Sequence, residues 1–126
     1  MSTSADPQVW LQHAEETLDV AGRALWAPAL TRCAVEEAKI AAEMALKSYL
    51  VSLGVTCGEP GHDLLELAHQ AVTLGDQTPP REALVRLNRS VKEDSFLPAP
   101  SPSLEEAQSA VASAEEVVSW VRQVLA

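Results

Sequence analysis

The chain is predicted to fold as a small all-α bundle of five helices, and three observations lead to this prediction. Every long segment of the 126 residues repeats its apolar side chains at helical spacing, and none alternates as a strand would. Aromatic residues make up only 4%, whereas alanine, leucine and valine abound, which favours close helix packing. Hydrophobic residues reach 47%, as in globular proteins. Residues 1–126 are therefore expected to form a single domain.

The first helix is marked by a capping residue followed by a proline. Asp6 supplies the cap and Pro7 stands at the first helical position, so a helix is predicted from Pro7 to about Trp26. Residues 1–6 are expected to be a flexible N-terminus. Pro28 then interrupts the helical pattern.

The second helix is expected to be the central one, because apolar residues occupy more than one side of it. It is predicted from Ala29 to Leu53, where Gly54 suits a left-handed C-terminal cap. Glu43 and Lys47 stand four residues apart among its polar positions and are expected to form an ion pair. The two apolar rows are Leu30, Ala34, Ala38, Ala41 and Ala45, and Val35, Ala42, Leu46, Tyr49 and Leu53.

Two shorter helices follow a loop that is rich in glycine and proline. Asp63 is expected to cap the third helix, which ends near Gly75. Thr78 and Pro79 repeat the signal of a cap followed by a proline and predict a fourth helix that ends by about Asp94.

The last helix begins after a proline-rich connection at residues 94–102. Ser103 and Glu106 match the spacing of a capping box, in which each side chain accepts a hydrogen bond from the other residue's backbone. A continuous apolar stripe follows almost to the C-terminus, so the fifth helix is expected to pack along its whole length.

Charge and composition exclude several classes of function. Nine Lys and Arg stand against eighteen Asp and Glu, a net charge of -9, which disfavours general DNA binding. A local basic group offers a contact for one phosphate or an acidic partner, but a solvated helix face is the preferred interpretation. That group is Arg81, Arg86, Arg89 and Lys92.

The chain shows no signal that directs it to a membrane or to secretion. No run of about 18 apolar residues is present, and residues 1–6 lack a basic start, so a cytoplasmic location is expected. Cys33 and Cys57 are the only cysteines, and their wide separation suits plain thiols in a reducing compartment.

Three short stretches, in the right order, resemble the HEPN domain family. They are the Ala-Glu-Met-Ala-Leu-Lys segment that ends at Lys47, the His62-Asp63-Leu64 segment after the loop, and the Leu-Asn-Arg segment that ends at Arg89. The common form of the first has lysine where this chain has Met44. The resemblance implies an antiparallel helical bundle, often a homodimer, that partners a minimal nucleotidyltransferase or acts in nucleotide and RNA biology.

The resemblance also suggests residues for a nucleotide- or partner-binding site: Lys47, His62, Asp63 and Arg89. Helix capping alone would explain Asp63 and is the preferred interpretation. Many catalytic members are ribonucleases that carry a histidine four to six positions after an arginine, and none of His13, His62 and His69 lies at that distance. No catalytic residue is therefore assigned.

No cofactor or metal is expected. His62, Glu66 and His69 share the spacing of one helix face, but a solvated polar face is preferred, because a di-iron bundle needs Glu-x-x-His motifs on two helices. The Glu-x-x-His sequence that starts at Glu59 crosses Pro60 and Gly61 and therefore cannot be helical throughout.

Three hypotheses of function remain. The first is a non-catalytic HEPN-type protein that associates with itself or with a minimal nucleotidyltransferase, in a toxin-antitoxin-like pair and with nucleotide binding. The second is a ribonuclease with a relocated site, for which His62 with Arg89 is the least implausible pair. The third is a helical adaptor without a nucleotide role. Surplus apolar surface favours association, and Trp26 is expected to be the most exposed tryptophan.

Overall fold

The computed structural model describes residues 5–57, 63–90 and 101–126, and every regular element within these ranges is helical. The prediction of an all-α fold is confirmed. The five α-helices of this part of the chain are α1 (Pro7–Ala24), α2 (Thr31–Ser52), α3 (Leu64–Leu74), α4 (Arg81–Ser90) and α5 (Leu104–Leu125), and a short 3-10 turn (Pro28–Leu30) precedes α2.

The ends of α1 and α2 follow the predicted signals, with shifts of one or two residues. The Asp6 carboxylate accepts a hydrogen bond from the backbone N–H of Gln8 at 2.9 Å and so caps α1. Pro28 is the first residue of the 3-10 turn and does not simply interrupt the helical pattern. Helix α2 therefore begins at Thr31, two residues later than the predicted start at Ala29. Gly54 follows α2 with a φ of 92°, a conformation that glycine adopts without strain.

The start of α4 corrects the prediction that Thr78 caps a helix with Pro79 as its first residue. The helix begins at Arg81, and the backbone N–H of Leu84 donates to the carbonyl of Pro80 at 3.2 Å. The second proline explains the shift, because a residue that precedes proline is disfavoured in helical conformation. The predicted end of this helix near Asp94 lies outside the described residues.

The capping box of α5 is formed as predicted. The Ser103 side chain accepts from the backbone N–H of Glu106 at 3.1 Å, and the Glu106 carboxylate accepts from the backbone N–H of Ser103 at 2.9 Å. The helix then buries most of its apolar stripe, including Val111 and Val118, in the shared core, whereas Leu104, the first residue of the predicted stripe, is exposed in the first turn.

Helix α2 is the centre of the bundle, as its two apolar rows predicted. It contacts each of the other four described helices, and Ala38, Ala42 and Leu46 are completely buried along it. Leu30 and Leu53 were expected in these rows but are exposed. Both lie just beyond the ends of α2, where the helical rows no longer face the neighbouring helices.

No helix in the described ranges has both the length and the apolar character needed to cross a lipid bilayer.

Candidate functional site

A buried ion pair lies on α2 within the sequence segment that resembles the HEPN family. Lys47 is only 2% exposed, and its Nζ lies 2.9 Å from the Oε2 of Glu43, which is 8% exposed. The predicted pair is thus formed, but it lies inside the bundle. Buried charges are costly unless they are paired, so each of these residues makes the other tolerable there.

Helix α1 closes over this pair with an aromatic ring. The Lys47 Nζ lies 5.8 Å from the ring centroid of Trp10, within the range of a cation–π interaction. Next to Lys47, the Ser48 hydroxyl donates to the carbonyl oxygen of Pro7 at 2.6 Å. Both contacts join the start of α1 to the second half of α2, so the two helices run antiparallel here.

Cys57 lies at the same end of the bundle. Burial raises the pKa of the Cys57 thiol, and the positive charge of Lys47 lowers it in part. The thiol is therefore protonated at neutral pH and is a poor nucleophile. These residues form an internal cluster, which joins α1, α2 and the segment that follows α2. We call it the buried cluster; it consists of Glu43, Lys47, Trp10 and Cys57.

A second feature is an open groove of ≈ 820 Å³ between α1 and α5. Leu18 and Gly22 of α1 and Val111 of α5 form part of its apolar lining, and Trp26 stands at its edge. Trp26 is 87% exposed, as expected from the sequence. An apolar groove with an exposed tryptophan is typical of a surface that binds another protein.

Ion pairs border this α1–α5 groove. The Arg122 Nε and Nη2 donate to the Glu15 Oε2 at 2.9 and 2.6 Å and fasten α5 to α1. Asp19 Oδ2 accepts from Arg23 Nε at 3.0 Å one turn further along α1. Sequence reasoning did not find the first pair, because its members are 107 residues apart and no local pattern joins them.

The four residues suggested by the resemblance have different surroundings. Lys47 lies inside the bundle, whereas Asp63 is exposed and caps α3 by accepting from the backbone N–H of Leu65 at 2.7 Å. Arg89 belongs to the last turn of α4, and its side chain lies outside the described part of the structure, as does all of His62.

The local basic group and the histidine face can be located in part. Arg86 Nε donates to the Ser113 hydroxyl at 3.1 Å, and its Nη2 lies 3.9 Å from Glu116, so this arginine links α4 to α5. Glu66 and His69 are exposed on α3. Among residues 5–57, 63–90 and 101–126, no group of three His, Cys, Asp or Glu is placed to hold a metal ion.

Comparison with known proteins gives one match. The family model described as "HEPN domain" matches residues 7–124, almost the whole chain. No curated protein and no solved structure matches the chain.

Proposed function

Because the chain belongs to the HEPN domain family, we propose that it is a non-catalytic HEPN protein that works by association with another protein chain. The partner is a second copy of the chain or a minimal nucleotidyltransferase, and the complex is the functional unit, as in a toxin-antitoxin-like pair. A shared fold alone does not fix a function, so the proposal depends on the chain's own residues.

The observation that carries the proposal is the missing spacing of arginine and histidine. His13, His62 and His69 are the only histidines, and none follows an arginine by four to six residues. A general acid–base pair of the kind used by the ribonucleases of this family therefore has no counterpart at that spacing.

The two features of the site support binding rather than chemistry. Lys47 is enclosed by α1 and α2 and paired with Glu43, so its charge is balanced inside the bundle and is not presented to a phosphate at the surface. The α1–α5 groove instead presents Trp26 to solvent. Large exposed aromatic side chains are enriched at protein interfaces.

The test of association is light scattering coupled to size exclusion over a hundredfold range of concentration. The wild-type protein is measured alone and mixed with a nucleotidyltransferase from a neighbouring reading frame, where one exists. A dimer, or a complex that runs ahead of either component, is the expected result. A strict monomer in both settings would contradict the proposal.

The rival function is a ribonuclease with a relocated site, in which His62 and Arg89 act together. The wild-type protein and His62→Ala are incubated with single-stranded and structured RNA. We expect intact RNA with both proteins. Cleavage by wild type that is lost in His62→Ala, at equal folding by circular dichroism, would replace the proposal with the rival.

The same experiments address the third hypothesis and nucleotide binding. Association with a protein that is neither a second copy of the chain nor a nucleotidyltransferase, with no bound nucleotide, would identify a helical adaptor. Calorimetric titration with nucleoside mono- and triphosphates tests nucleotide binding, with Asp63→Asn and Arg89→Gln as variants. Binding that both variants weaken would assign Asp63 and Arg89 to a nucleotide site.

A further inference from the structure

The most exposed apolar feature of the described residues is the Trp26 side chain at the α1–α5 groove. It is 87% exposed, and the main chain that carries it is held in a turn, because the backbone N–H of Trp26 donates to the carbonyl of Arg23 at 3.1 Å. A tryptophan side chain has only two rotatable bonds, so it offers a large apolar area for a contact at a low cost in conformational entropy.

The same groove contains a depression that could receive such a side chain. Gly22 lies four residues before Trp26 and lines the groove with it. A Cβ atom added at Gly22 would meet nothing within 4 Å, so there is open space above the backbone of α1 at this position. The projecting side chain of Trp26 (the knob) and the open space at Gly22 (the hole) thus lie about one helical turn apart on the same surface.

The charges around the groove are nearly balanced, in contrast to the rest of the chain. Three acidic and two basic side chains line it, a formal charge of −1, whereas the whole chain carries −9. Two copies of so acidic a chain repel each other across most of their surfaces. The groove is a place where two copies can meet without bringing a large excess of like charge together.

We infer that the α1–α5 groove is the surface through which two copies of this chain pair, with Trp26 of each copy packed on Gly22 of the other. This inference rests on the proposed function and names its surface. A two-fold interface needs one patch that is complementary to itself, and a knob beside a hole meets that requirement. A basic partner would instead be drawn to the acidic remainder of the surface.

The surface formed by α1 and α5 is large enough for a stable dimer interface. A standard interface buries roughly 800 Å² on each partner, which is about a tenth of the 7595 Å² surface of the chain. Helix α1 has 18 residues and is therefore about 27 Å long, and α5 lies along its side. The two helices together offer a face of the required extent.

The experiment compares the dimer affinity of variants on α1 and in the turn that follows it. Trp26→Asp removes the knob, and Gly22→Leu fills the hole with a residue that favours helix more than glycine does. Val20→Asp is the control, because Val20 is also an exposed apolar residue of α1 but does not line the groove. Circular dichroism checks that each variant keeps its helices.

Both groove variants are expected to raise the dissociation constant of the dimer at least about thirtyfold, while Val20→Asp changes it by less than about threefold. Tryptophan fluorescence gives a second readout. Dilution of the wild type should shift its emission to longer wavelength as Trp26 becomes exposed, and the shift should vanish in Trp26→Phe.

The outcomes separate the inference from the proposed function. A wild-type dimer that neither groove variant weakens would overturn the inference and leave association standing. A wild type that is monomeric alone would also overturn it, and if it binds a nucleotidyltransferase through Trp26, the groove belongs to that partner. A wild type that is monomeric in both settings contradicts the proposed function itself.

Discussion

At the scale of single residues, the most unusual feature is the lysine that lies inside the bundle. Lysine is among the residues least often fully buried, yet Lys47 is 2% exposed. Glu43 supplies the opposite charge, and the Trp10 ring covers the ammonium group. The segment that resembles the family motif therefore carries a structural pair whose members depend on each other.

Lys47→Met is predicted to destabilise the protein by about 2–4 kcal/mol, because it leaves the Glu43 carboxylate buried without its partner. The double variant Glu43→Leu with Lys47→Met should recover most of this loss, since an apolar pair needs no compensation. Urea unfolding followed by circular dichroism measures both.

Lys39→Met is the control for these variants, because Lys39 lies on the same helix but is only half-buried. A change of less than about 1 kcal/mol is expected there. If Lys47→Met and Lys39→Met were equally stable, the loss of the Glu43–Lys47 pair would not cause the predicted decrease in the free energy of unfolding.

Gly75→Ala is predicted to cost about 1–3 kcal/mol, because there is no room for a methyl group at the end of α3. A Cβ at this position would overlap the hydroxyl of Tyr49 and lie 3.0 Å from its Cζ and 3.1 Å from the carbonyl oxygen of Ala71. Thermal unfolding of the variant gives the measurement, and Gly75→Ala with Tyr49→Phe should recover part of the loss.

Gly22→Ala provides the opposite case. The added methyl group meets nothing within 4 Å and replaces glycine inside a helix, so a gain of up to about 1 kcal/mol is expected. Equal effects at Gly22 and Gly75 would show that local helix propensity, and not the Tyr49 contact, decides the outcome.

The sequence predicted the Glu43–Lys47 pair but not its burial. An acidic and a basic residue four positions apart look the same on a solvated face and on a covered one. The cover here comes from Trp10, which is 37 positions away from Lys47 and belongs to another helix. The exposure of Trp26 was predicted, because the spacings place the other two tryptophans, Trp10 and Trp120, at the apolar edges of helices.

At the scale of elements, the bundle depends on α2, which touches all four other described helices. Leu46→Asp is predicted to unfold the protein, because Leu46 is completely buried among small residues and a carboxylate there would have no partner. Ile40→Asp is the control on the same helix, since Ile40 is exposed. Circular dichroism should show helix in the control and little in Leu46→Asp.

The N-terminus of α5 should respond to pH. Hydrogen bonds from Ser103, first its backbone N–H and then its side chain, lower the pKa of Glu106 below the ordinary value of 4.5. A lowered pKa means that the capping box stabilises the protein fully above the unfolded-state pKa and loses this effect as pH falls through the folded-state value.

The stability of wild type should therefore exceed that of Glu106→Ala at neutral pH, and the difference should shrink as the pH falls below the ordinary pKa of 4.5. Urea midpoints of both proteins at several pH values give the comparison. Glu105→Ala serves as the control, because Glu105 also lies in the first turn but does not belong to the box. A difference that stays constant with pH would contradict the role of the ionised carboxylate.

Helix boundaries were predicted well where a single capping residue sets the boundary. They were predicted less well where two neighbouring residues could each have set it. Asp6, Asp63 and the capping box at Ser103 act through their own side chains, and each does so as expected. Either Pro79 or the residues after Pro80 could have begun α4. Pro80 disfavours the helical conformation at Pro79, so the helix begins after both prolines.

At the scale of the whole molecule, the number and order of the helices could be predicted, but their lateral contacts could not. Periodicity shows which face of a helix is apolar, and it does not show which helix covers that face. The Arg122–Glu15 pair and the edge-to-face contact of Trp120 with Tyr49, 5.1 Å between ring centroids, depend on that arrangement. The α1–α5 groove was hidden from the sequence for the same reason.

The net charge of the whole chain should make the affinity of the dimer depend on salt. Each copy carries a net charge of −9, so two copies repel each other as they approach. Salt shortens the distance over which this repulsion acts. The inferred contact between Trp26 and Gly22 is apolar and is not weakened by screening. Raising sodium chloride from about 0.05 to about 0.5 M should therefore tighten the dimer at least about threefold, as measured by light scattering on dilution. An interface held together by ion pairs between the copies would loosen under the same change, and that result would contradict the apolar contact.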